Sequence, residues 1–88
     1  FPQLDISRDE QRVLHALAQG GHIVPLKDDR GRIQGLELYT RDGLRMPILP
    51  LALFRKLRTR ATIASQGGGP YRITRRGLEL VRSQFDNR

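Results

Sequence analysis

Apolar residues recur along this chain in blocks of two kinds, some spaced three and four apart and others alternating. Val13, Leu14 and Leu17 have helical spacing and predict a first helix with one buried face. Ser7 and Glu10 form the Ser-x-x-Glu capping box that would open it. Asp9 and Glu10 also suit the positive end of the helix dipole, and Gly20-Gly21 supplies an exit. Ile23 to Lys27 then reads as extended, Asp28-Asp29-Arg30-Gly31 as a turn, and Ile33, Leu36 and Leu38 as the return strand. Pro25 lacks an amide donor, which predicts an edge position for the first strand. A second turn at Arg41-Asp42-Gly43 predicts a short third strand over Leu44 to Ile48.

Helical spacing returns at Leu53, Leu57 and Ala61, with Phe54 beside them, and Pro50 is tolerated in the first turn of such a helix. This second helix is predicted over 50–60. Ile63 and Ala64 begin another strand, Ser65 to Pro70 form a glycine-rich tip, and Tyr71 to Ile73 return from it. Thr74 caps a last helix whose apolar set is Leu78, Val81 and Phe85. Gly77 costs about 1 kcal/mol against alanine inside a helix, so it predicts close packing on another backbone. The fold class is therefore α+β: one small domain ordered helix, β-meander, helix, β-hairpin, helix. Ile23, Leu36, Leu53, Phe54, Leu57, Ile63, Ile73, Leu78 and Val81 are its expected core.

A helix, a hairpin and Tyr-x-Ile-Thr-x-x-Gly-x-x-Leu over 71–80 resemble the wing and final helix of winged-helix domains. That resemblance implies that the glycine-rich tip is the wing and that the 50–60 helix takes the recognition position. A β-meander stands where such domains usually carry a second helix.

Length and composition narrow the class. Eighty-eight residues allow one modest core, and 38% apolar residues suffice for a globular chain. With no cysteine there is neither a disulfide nor a thiolate metal site, in keeping with a reducing, cytoplasmic setting. No apolar run approaches the roughly 20 residues of a membrane span, and Phe1-Pro2-Gln3-Leu4 is not a signal peptide.

Charge changes the picture most. The formal net charge is +7 and is unevenly spread: residues 1–29 carry three basic and five acidic groups, the remainder thirteen and four. The second half thus suits an anionic partner, nucleic acid or an acidic protein surface, although arginine-rich chains are also basic for no such reason. Arg55 and Arg58 project from a different helical face than the apolar stripe, with Lys56 and Arg60 at its margins. Most such runs are solvated outer faces. Together with the wing arginine Arg72 and with Arg75 and Arg76 they nonetheless make up the candidate binding set.

Catalytic signals are weak. His15 has no HExxH pattern and reads as a partly buried structural histidine, and His22 opens a strand without a sequence-linked partner. Gly67-Gly68-Gly69 lacks the lysine–serine/threonine end of a phosphate loop, and Asp28-Asp29 lies in a turn. These readings point to a binding protein without cofactor or metal.

The stretches "ISRDEQRVLHALAQGG", "YTRDGL", "LALFRKLRTRATI", "PYRITRRGLELVR" and the terminal "DNR" resemble the bacterial YjhX family. Its members are described as toxins of toxin–antitoxin pairs and as topoisomerase I inhibitors. The resemblance runs from about Ile6 to Arg88, so residues 6–88 are read as the domain and 1–5 as an N-terminal extension or added residues. It implies an inhibitory protein that binds DNA topoisomerase I, blocks its action on DNA, and is neutralised by a cognate, acetyltransferase-like antitoxin. It carries over no catalytic residues. The alternative reading of the residues is a winged-helix DNA-binding protein or transcriptional regulator on duplex DNA. Regulators of that kind are usually dimers on paired half-sites, and nothing in the sequence announces a dimerisation helix.

Overall fold

The computed structural model describes residues 8–46 and 49–86, apart from the side chains of 83–86. The elements are α1 (Arg8–Ala18), β1 (His22–Lys27), β2 (Ile33–Tyr39), α2 (Leu51–Thr59), β3 (Ile63–Ser65), β4 (Tyr71–Ile73) and α3 (Arg75–Asp86). They form one small α+β domain whose strands make an antiparallel sheet in the order β2-β1-β4-β3. The expected third strand of the meander is instead a single bridge of Arg45 to Tyr39, with the Met46 amide donating to the Leu38 carbonyl. Pro47 and Ile48, also expected there, lie outside the described residues, as do Ser7 and the segment 1–5. Pro25 is not on an edge strand, because β1 lies between β2 and β4. β1 meets β4 only at Ile23↔Tyr71, so β4 has already ended where Pro25 lies.

Strand alternation gives the sheet a covered face and an open one. Ile23, Leu38, Tyr71, Ile73 and Ile63 share the covered face, where Val13, Leu14 and Leu17 of α1 and Phe54 and Leu57 of α2 complete the core. The Phe54 ring meets Tyr71 edge-on at 4.9 Å. Leu53, Ile73 and Val81 pack on this core while remaining partly accessible. His22, Val24, Glu37, Tyr39, Arg72 and Ala64 occupy the opposite face, and each is exposed or half-buried.

Three positions expected to be buried or partly buried are displaced. Leu78 is 37% exposed, because Gly77 sets the rotation of α3 and the buried side runs through Gly77 toward Leu80 and Val81. Ala61 lies beyond the last turn of α2, exposed and left-handed at φ 60°. It closes the helix end, where the Ala61 amide donates to the Arg58 carbonyl and the Thr62 amide to the Leu57 carbonyl. His15, read as partly buried, points to solvent from α1 and pairs with Gln19 at 3.2 Å. It lies about 100° round the helix from Leu14, off the stripe of Val13, Leu14 and Leu17.

The glycine-rich tip is a defined turn. Gly67 and Gly68 take left-handed φ values of 61° and 78°, and the Ser65 hydroxyl donates to the Gly69 carbonyl at 2.7 Å. Thr74 caps α3 as expected, its hydroxyl oxygen accepting the Gly77 amide at 3.2 Å while donating to the Ala61 carbonyl at 2.7 Å. Beside it the buried Thr62 carbonyl accepts the Thr74 amide at 3.0 Å. A Cβ on Gly77 would stand 2.5 Å from that same carbonyl oxygen, which is the close backbone approach the sequence predicts. Gly77→Ala should therefore destabilise by about 1–3 kcal/mol, outweighing the helix-propensity gain of about 1 kcal/mol. A urea midpoint at or above wild type would show that the α2–α3 junction yields.

Candidate partner-binding face

Helix α2 and its C-cap residue Arg60 sort four cations into two pairs. Lys56 and Arg60, one turn apart, lean toward α1, where Glu10 is fully buried on the stripe that also carries Val13, Leu14 and Leu17. The Lys56 ammonium lies 3.3 Å and the Arg60 Nε 3.5 Å from the Glu10 carboxylate. A buried carboxylate demands such partners, since its desolvation is otherwise uncompensated. These two side chains clamp α2 to α1 while keeping 50% and 31% of their surface exposed.

Arg55 and Arg58 point outward. The Arg58 guanidinium sits 5.5 Å above the Phe54 ring centre, which supports its stem over the core. The start of α3 lies against the end of α2: the Arg76 Nε donates to the Arg60 carbonyl at 2.9 Å, and Arg75 is exposed next to it. Arg60 and Arg76 thus meet at one junction, with Arg75 next to Arg76 in the chain, Arg58 two residues before Arg60, and Arg55 a turn behind Arg58. Arg72 stands apart. It pairs with Ala64 on the open face of the sheet, whereas the neighbouring Tyr71 and Ile73 pack on the core.

On that open face the Tyr39 hydroxyl donates to Glu37 at 2.8 Å, and Arg45 pairs with the same carboxylate at 3.1 Å. The Tyr39 bond first, and the Arg45 contact after it, hold the Glu37 carboxyl below its ordinary range. The same bond raises the Tyr39 hydroxyl above the usual tyrosine value. Among the described residues no group of three or more His, Asp or Glu side chains could hold a metal ion. No helix among them is long and apolar enough to cross a membrane.

The capping-box pattern at Ser7 and Glu10 gives no hint of the contact of Glu10 with α2. The available signal was its place in the buried stripe, three residues before Val13 and four before Leu14. An acid at such a position calls for cations on the facing helix.

The chain matches, over residues 4–88, the YjhX toxin family, described as "Putative toxin of bacterial toxin-antitoxin pair". It is 64% identical over 85 residues to a UPF0386 protein of Chelativorans sp. (strain BNC1), covering 97% of this chain and all of that one. A UPF0386 protein of Hyphomonas neptunium is 61% identical over 84 residues, 96% of this chain and 99% of its own. One from Agrobacterium fabrum is 59% identical over 85 residues, 97% of this chain and its full length. No solved structure matches. The chain belongs to the YjhX toxin family.

Proposed function

From this family membership, we propose that the chain is the inhibitory member of a toxin–antitoxin pair, acting in the cytoplasm by binding DNA topoisomerase I and hindering its action on DNA. A cognate antitoxin, acetyltransferase-like in the family's pattern, would neutralise it. Action is by occupancy, without turnover. The observation that carries the reading is the junction of α2 and α3, where Arg55, Arg58, Arg75 and Arg76 are exposed beside the clamped Lys56 and Arg60. Such a cluster favours a phosphate backbone or an acidic protein surface.

A second reading is a winged-helix DNA-binding protein with α2 in the recognition position. The order of helix, hairpin and capped helix, with arginines outward on α2, favours it. Both readings place duplex DNA near the same face, and one double variant separates them. Arg55→Ala with Arg58→Ala removes about two phosphate contacts and should flatten the dependence of log affinity on log salt by roughly 1.8. Both side chains are outside the Glu10 clamp, so the fold should persist. Duplex affinity against salt and inhibition of topoisomerase I are measured on the same protein. Loss of both supports a shared face, and loss of duplex binding with inhibition untouched means that the inhibitory surface lies elsewhere. Unchanged affinity and slope make the patch a solvated surface and remove it from the account.

A further inference from the structure

The open face of the sheet carries a row of side chains that the α2–α3 junction does not use. Arg45 is bridged to Tyr39, and Tyr39 pairs with His22 across β1 and β2. The antiparallel pairing of Ile23 with Tyr71 brings Arg72 of β4 opposite His22. The resulting order across the sheet is Arg45, Tyr39, His22, Arg72. With neighbouring strands about 4.8 Å apart, the two arginines are separated by roughly 14 Å. Between them the Tyr39 and His22 rings are stacked, with centres 5.4 Å apart and planes 20° from parallel. Both rings are half-buried, with the helices on the far side of the sheet, and Arg72 is exposed.

We infer that this face is a platform for single-stranded nucleic acid, with Tyr39 and His22 stacking on unpaired bases and Arg45 and Arg72 holding phosphates at either end. A positive charge at each end of an aromatic pair matches a strand whose bases and phosphates alternate. Duplex DNA keeps its base faces stacked internally and has no use for the rings. An acidic peptide would engage the arginines alone. Glu37 is the acidic neighbour on this face, and its carboxylate is engaged by the Tyr39 hydroxyl and Arg45. It therefore orients the ring, while leaving Arg72 the larger share of phosphate binding. The Arg45 side chain keeps 67% of its surface exposed and has room to swing from Glu37 to a phosphate. The inference is independent of the α2–α3 junction.

The test uses the full chain and three labelled probes of roughly 12 nucleotides, within the span of one small domain: oligothymidylate, an abasic strand of the same length, and a duplex. Oligothymidylate should bind at least about fivefold more tightly than the abasic strand, because stacking requires bases. Tyr39→Leu should weaken it by roughly 5- to 100-fold, whereas Tyr39→Phe, which keeps the ring, should not. Arg72→Ala should flatten the single-strand salt slope by about 0.7. Equal binding of the abasic strand overturns the inference, and so does wild-type affinity and slope in folded Arg72→Ala. If Tyr39→Leu does not fold, those two comparisons still decide, since neither alters a packed residue.

Discussion

Replacing Lys56 and Arg60 together by alanine is expected to cost about 3 kcal/mol or more of stability. The reason lies in the residue that remains. Glu10 is fully buried, and this variant strips it of both α2 cations, at 3.3 and 3.5 Å. Neither cation is itself deeply buried, so on a surface-charge argument alone the variant would be nearly neutral. The buried carboxylate makes the difference. A third substitution checks that cause: adding Glu10→Ala removes the buried charge and should recover part of the loss. Urea unfolding of the double and triple variants, compared at equal m-values, measures both. If the double variant unfolds like Arg55→Ala, Arg58→Ala, the clamp contributes nothing to holding α2 on α1. The same clamp also means that Lys56 and Arg60 are poor probes of binding, since their loss disturbs the fold that presents the other arginines.

Leu57→Ala should be of similar size, about 2–5 kcal/mol. Leu57 has no accessible surface and lies one turn from Phe54, whose ring is packed on Tyr71. Its carbonyl also accepts both the Thr62 amide and the Thr62 hydroxyl, at 3.1 and 2.8 Å, so the helix end is anchored where the side chain is lost. That anchoring limits collapse of the backbone into the void and pushes the cost toward the upper part of the range. A thermal midpoint within 2–3 °C of wild type, equivalent to well under 1 kcal/mol for a domain of this size, would take Leu57 out of the core.

The parts of the fold that were legible in sequence are those set by local chemistry. The helical stripe of Val13, Leu14 and Leu17, the Asp28 turn and the Thr74 cap each follow from a residue acting on its near neighbours, and Gly77 is legible because a glycine inside a helix points to a close backbone approach. The departures come from tertiary geometry. Strand order decides whether Pro25 is at an edge, and no local pattern reports it. The rotation of α3 is fixed by a contact with Thr62, which turns Leu78 outward against its apolar spacing. The candidate site divides in the same way. Helical periodicity separates Arg55 and Arg58 from Lys56 and Arg60, but the use of the second pair depends on a helix more than 40 residues upstream in the chain. Arg72 groups with the others by proximity in sequence, whereas strand alternation turns it to the opposite side of the sheet.

Titration of the protein into a supercoil-relaxation assay with DNA topoisomerase I tests the central claim most directly. An inhibitor that works by occupancy must approach the concentration of its target, and its effect must vanish when it is removed. The account predicts inhibition that saturates near equimolar protein and full recovery after removal. Complete inhibition at a small fraction of the topoisomerase concentration, persisting once the protein is gone, would contradict it.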